Sequence, residues 1–119
     1  MFADPQSVTI NTVANSLPRV SVGDHSASYT KDDETLEMTI SHLSSRNGRT
    51  RRMVRLDTTK VASDPFIAGN NREVSASTYL VVDEPSDSSF TNTELLNHVK
   101  GLVGWLTDAN VSKVLAGES

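Results

Sequence analysis

Five of the eleven basic residues fall between positions 46 and 55: Arg46, Arg49, Arg51, Arg52 and Arg55. Guanidinium groups bind phosphate through charge-assisted, often bidentate hydrogen bonds. In an extended segment alternate side chains share a face, so Arg49, Arg51, Met53, Arg55 and Asp57 project together. On the preceding run Thr39 and Ser41 take the same side, and so does Tyr79 further on, if apolar positions are matched with apolar ones. A sheet face offering cations, hydroxyls and one exposed aromatic suits single-stranded RNA. Arginine neutralises phosphate, hydroxyls bond to base edges, and tyrosine stacks on an unpaired base. Taken alone, the arginine segment also fits a solvated strand whose long cations keep a sheet edge from aggregating. The parity argues for RNA. Arg52 has the parity of the core and is expected to snorkel at the sheet margin or to pair with a carboxylate such as Glu94 or Asp108.

Other chemistries find no support. His25, His42 and His98 stand on different predicted elements with no close pair spaced for a metal. His42 shares the parity of a core face, where a hydrogen-bonded, partly buried ring is expected. No serine-nucleophile elbow, phosphate loop or marked acid–base pair of carboxylates is present. The chain has no cysteine, which excludes disulfides and thiolate metal sites. We therefore expect no enzymatic activity, no cofactor and no metal. The net charge of −4 would argue against a nucleic-acid partner, but the acidic residues are spread out, at Asp32-Asp33-Glu34, Asp83-Glu84 and Asp87. A local basic stripe on an acidic body can still bind phosphate. No run of about 18 apolar residues could span a membrane, and Met1–Pro5 lack signal-peptide features. A cytosolic protein is expected.

These side chains need elements to position them. The 119 residues fit one domain, 1–119. Residues 7–22 read as an N-terminal hairpin, with Asn15-Ser16 at the turn and Pro18 marking an edge strand. A short strand follows at Ser26–Thr30. Leu36, Met38, Ile40 and His42 then alternate with Glu37, Thr39, Ser41 and Leu43, and a second alternating run follows Gly48. Asn47-Gly48 has the composition of a two-residue turn. That loop would set Ile40 opposite Arg55, mixing core with solvent. An odd-length connection sets Ile40 opposite Val54 and Ser41 opposite Met53, with Gly48 at positive φ. Residues 62–73 have no periodicity and read as a long loop. Another strand runs to Asp83, closing a sheet over 26–83.

Thr91-Asn92-Thr93-Glu94 fits a capping box. Leu95, Leu96, Val99, Leu102, Val103 and Leu106 follow at helical spacing. A second helix spans about 108–116, with Val111, Val114 and Leu115 inward and Gly117 ending it; the two helices occupy 91–116. Strands followed by helices give an α+β layout. One amphipathic helix and a half-helix are a thin cover for such a sheet, and helices donated by a second subunit would complete it.

With these features in hand, the chain resembles the coat proteins of the single-stranded RNA phages, the leviviruses, over nearly its whole length. The carrying segments are Ser44-Ser45-Arg46-Asn47-Gly48-Arg49 with its basic strand, Asp57–Ser63, Tyr79-Leu80 after a loop of family length, and the tail from Phe90 through Ser119. The resemblance implies an N-terminal hairpin, a five-stranded antiparallel sheet and two C-terminal helices. It also implies an interlocked dimer whose sheets join into a ten-stranded surface. Such dimers build an icosahedral shell around genomic RNA and bind an RNA hairpin as translational repressor and packaging signal. The virion also holds a maturation protein, and assembly takes place in the host bacterial cytoplasm.

Matching without gaps carries the family's RNA contacts onto Thr39, Ser41, Arg49, Arg51, Met53, Arg55 and Tyr79, in agreement with the parity. Two departures stand out: Met53 replaces a hydroxyl residue of relatives, and Val81 replaces a polar one beside the tyrosine. The loop, with Pro65, Phe66, Gly69, Asn70 and Asn71, is implied to form contacts between dimers. A small sheet-based RNA-binding regulator that never assembles is the second reading. It explains the arginines and Tyr79 equally well, but not the long loop or the resemblance at both ends.

Overall fold

The structure is a computed structural model and describes residues 2–45, 47–63, 66, 69, 71–87 and 89–119. Among the described residues seven strands precede two helices: β1 (Gln6–Ile10), β2 (Val13–Leu17), β3 (Arg19–Gly23), β4 (Ser26–Thr30), β5 (Leu36–Ser45), β6 (Arg49–Ser63), β7 (Asn71–Pro85), α1 (Asn92–Trp105) and α2 (Asp108–Leu115). β1 and β2 form a separate hairpin, and the other five strands form one antiparallel sheet in the order β3-β4-β5-β6-β7. The expected architecture of hairpin, five-stranded sheet and two helices is present.

The register of the long strands follows the apolar pattern. Ser45 pairs with Arg49, so three residues, 46–48, connect β5 to β6; Ile40 faces Val54 and Ser41 faces Met53. Gly48 has φ of 71°, the left-handed conformation that costs glycine little. The odd-length connection is thus as the sequence requires.

Three boundaries differ from expectation. The hairpin turns at Asn11-Thr12, not at Asn15-Ser16, because Ile10 pairs with Val13 and both turn residues have positive φ. Its second arm ends at Leu17, and residues 19–23 leave the hairpin to become the edge strand β3. Pro18, which lacks an N–H, marks this transfer, and its carbonyl accepts from the Thr30 N–H at 3.0 Å. The loop expected over 62–73 is shorter, since pairing between β6 and β7 continues to Ser63 opposite Asn71, leaving 64–70.

The sheet has one apolar and one polar face. On the apolar face Leu17 from the hairpin packs with Tyr29, Leu36 and Ile40, all buried, and Val8, Ala27, Met38 and Leu56 surround them. The hairpin therefore covers only the β4–β5 part. On the same face Val54 remains 39% exposed, so the core stops at β6.

The helices are well capped. The Thr91 hydroxyl accepts from the Glu94 N–H at 3.2 Å, and Thr107 serves α2 likewise at 3.4 Å to Asn110. Gly117, at φ of 88°, closes α2, with the Gly117 N–H bonded to the Val114 carbonyl and the Glu118 N–H to Lys113. Neither helix buries a residue. Leu96 and Val103 on α1 and Leu106 at its C-cap are 45–55% exposed, and Val111, Val114 and Leu115 on α2 are exposed rather than inward. Leu95 and Val99 are half-buried, beside a groove of about 500 Å³ that Leu80, Val82 and Phe90 also line.

Candidate nucleic-acid interface

The polar face carries the seven residues expected to contact RNA. Directly paired residues share a face, so the strand register arranges them in rows. One row runs Ser28, Thr39, Arg55, Tyr79, and the next runs Ser26, Ser41, Met53, Val81. Further toward the β5–β6 connection, Leu43, Arg51 and Asp83 form a row, and Ser45, Arg49 and Pro85 another. Arg49, Arg51 and Tyr79 are exposed; Thr39, Ser41, Met53 and Arg55 are half-buried. Arg46 lies outside the described residues.

β6 lies between β5 and β7, so its arginines do not guard a sheet edge. That removes the reading in which they merely prevent edge-to-edge aggregation.

The electrostatics differ from a simple basic stripe. Glu37, Asp57 and Asp83 share the face with Arg49, Arg51 and Arg55. Arg49 Nε donates to Asp83 Oδ1 at 2.9 Å, and its Nη2 reaches the Asp83 carbonyl at 3.3 Å. Arg55 Nε donates to Asp57 Oδ1 at 2.8 Å, and the Ser77 hydroxyl donates to the same oxygen. The Ser77 hydroxyl, with Arg55, holds the Asp57 carboxyl below its ordinary range, and the Asp57 hydrogen bond raises the Arg55 guanidinium. The Arg55 guanidinium also lies 5.1 Å from the centroid of the Tyr79 ring, within cation–π range. Arg51 has no ion pair among the described residues. Alternation along the sequence puts Asp57 on this face, and Ser77 and Asp83 in phase with Tyr79, but it does not reveal which arginine each group holds.

Arg52 points to the opposite face and is paired with Glu84 at 2.8 Å, not with Glu94 or Asp108. The two stand on neighbouring strands, where Arg52 faces Val82, two residues from Glu84. The Arg52 Nη1 also donates to His42 Nδ1 at 3.2 Å. Because arginine has no acceptor, that nitrogen carries a lone pair. His42 is thus hydrogen-bonded as expected but exposed rather than partly buried, since it lies beyond the hairpin's cover. Its backbone N–H bonds to the His25 carbonyl at 2.8 Å, bringing together two histidines that looked unrelated in sequence. Among the described residues no cluster of three possible metal ligands occurs.

Of the loop residues, Phe66 is 93% exposed, Gly69 has φ of 87°, and Asn71 begins β7 opposite Ser63. Pro65 and Asn70 lie outside the described residues.

Comparison with known proteins agrees with the geometry. The family profile of the phage phiCb5 coat protein matches residues 3–85. A virus-like particle of bacteriophage AVE019 aligns over 98% of this chain and 97% of its own, with a TM-score of 0.82 at 13% identity. A virus-like particle of Beihai levi-like virus 21 covers 100% and 98%, with a TM-score of 0.67 at 16% identity. The capsid protein of bacteriophage GA covers 98% and 95%, with a TM-score of 0.64 at 13% identity. At such identities the likeness is one of fold. No curated protein matches. The family match spans most of the sheet-forming chain, and the solved folds extend the likeness through both helices. The chain therefore belongs to the phage phiCb5 coat-protein family, as a structural, non-enzymatic coat protein of the single-stranded RNA phage type.

Proposed function

We propose that residues 1–119 act as one coat-protein domain that dimerises, assembles into an icosahedral shell and binds an RNA hairpin on the polar face. The observation carrying dimerisation is the unfinished apolar side. β7 has an open outer edge 15 residues long, Val54 is poorly covered, and both helices present apolar stripes that their own chain leaves exposed. A second copy related by a two-fold axis would pair β7 with β7 and lay its helices over the bare half of the sheet. The polar faces of both copies would then form one continuous surface.

On that surface Tyr79 offers a stacking ring, Arg51 a cation for phosphate, and Thr39 and Ser41 hydroxyls for base edges. Such a face supports hairpin recognition for translational repression and packaging, within a virion that encloses single-stranded RNA and holds a maturation protein. Assembly would take place in the host bacterial cytoplasm. The 64–70 loop, with Gly69 at positive φ, would make the contacts between dimers.

Electron microscopy of the protein expressed alone in bacteria and treated with nuclease tests the shell. Uniform closed particles of a few hundred ångströms holding protected RNA are expected. Soluble dimers without particles would refute assembly and favour a non-assembling RNA-binding regulator.

A further inference from the structure

We propose that Asp57 is a positioning residue that commits Arg55 to the Tyr79 stacking slot and withholds its charge from phosphate, making the face selective for unpaired bases. This rests on the RNA-binding reading above. The guanidinium of Arg55 is held from two sides: its Nε bonds Asp57 Oδ1 at 2.8 Å, and its Nη2 lies 3.5 Å from Ser77 Oγ. Ser77 in turn donates to Asp57, so the three groups form a closed set on neighbouring strands. Asp57 and Ser77 are directly paired, and the adjacent row places Arg55 opposite Tyr79.

The consequence for Tyr79 is steric. One side of its ring is backed by the guanidinium 5.1 Å from the centroid, yet the residue is 54% exposed. The remaining exposure leaves a ring surface for one base, which would sit in a sandwich of base, tyrosine and arginine. Without the tether, Arg55 could swing off the ring and seek a phosphate.

The consequence for charge is equally direct. Arg49 is paired with Asp83 and Arg55 with Asp57, while Glu37 also faces this row. Arg51 alone of the three is without an ion pair among the described residues. Counterion release by single-stranded nucleic acid gives a slope of log K on log salt of about −0.7 per phosphate neutralised. Freeing Arg55 should therefore add about 0.7 per subunit to that slope.

The test uses the full chain kept below assembling concentration, titrated with oligoadenylate and with a blunt RNA duplex over a range of salt. Asp57→Asn should steepen the slope by about 0.7 per subunit for oligoadenylate and by about 0.9 for the duplex. It should tighten duplex binding more than oligoadenylate binding, so the preference for unpaired bases shrinks severalfold. Ser77→Ala loosens the tether without changing charge and should weaken that preference at an unchanged slope. Asp57→Glu keeps the charge and should restore the original slope. If the wild type binds oligoadenylate but Asp57→Asn and Ser77→Ala leave slope and preference unchanged, the positioning role is overturned while the RNA face stands. If the wild type binds neither RNA, the RNA face itself falls and the positioning role with it.

Discussion

Truncating the exposed helix stripe should separate folding from dimerisation. Leu96 and Val103 lie one heptad apart on α1 and are 53% and 55% exposed, so roughly half of each side chain still faces water. Full burial of such a side chain stabilises by about 1.5–3 kcal/mol, so covering the exposed half contributes about 0.7–1.5 kcal/mol. An interface with two-fold symmetry counts every residue twice. Leu96→Ala with Val103→Ala therefore removes four such contributions, about 3–6 kcal/mol, which weakens the dimer roughly 10²–10⁴-fold. The isolated helix should not suffer, because alanine is the strongest helix former and neither residue is buried in its own chain. Sedimentation equilibrium over a concentration series, with circular dichroism on the same samples, reads both quantities. A double variant that dimerises like the wild type would show that α1 does not cover a partner, and the account of the missing half of the core would fail.

Three further outcomes are expected. Tyr79→Ala should weaken hairpin binding by about 1–3 kcal/mol for the stacked base, measured by filter binding, while particles still form; unchanged affinity would remove Tyr79 from the RNA face. Shortening the chain within 65–71 should change particle size or stability in electron microscopy but leave the dimer intact, and loss of the dimer would place that loop at the other interface. Asp33 and Asp87 are held below the ordinary 3.8 by the hydroxyls of Thr35 and Ser89 respectively, so their charged forms favour the native state. A depressed carboxyl contributes stability that is present above its unfolded pKa and lost as pH falls through the folded one. Asp33→Asn with Asp87→Asn should therefore flatten the loss of stability below about pH 4 in urea titrations, and an unchanged acid limb would refute the assignment.

How much of this was legible depended on which physical constraint governs each feature. The pairing of β5 with β6 was legible because a one-residue slip would have put Arg55 opposite Ile40, and no loop residue could compensate. Thr91 and Gly117 were legible because caps are local. The hairpin turn was not: Asn11-Thr12 and Asn15-Ser16 have similar composition, and the choice depends on Leu17 reaching Tyr29 and Leu36, a contact that strand pattern alone does not reveal. The limits of the 64–70 loop were hidden for a related reason, since Ala62 and Arg72 pair through backbone groups that carry no side-chain signature.

The arginine partners were hidden by rotamer choice. Parity put Arg55, Asp57 and Ser77 on one face, yet only their geometry joins them, and Arg52 had an equally good carboxylate nearer in the sheet than either one suggested by sequence. The helix stripes show the opposite case. Their apolar residues announced burial, and the chain does not supply it, so the sequence encoded a surface that a single subunit leaves unfinished. For Leu96, Val103 and Val114 the hydrophobic term favours association over solvation. The strand register meanwhile keeps Arg51, Arg55 and Tyr79 on the face opposite the Leu36–Ile40 cluster. Under the proposed function, association draws on Leu96, Val103 and Val114 and RNA recognition on Arg51, Arg55 and Tyr79, so the two need not compete for the same residues.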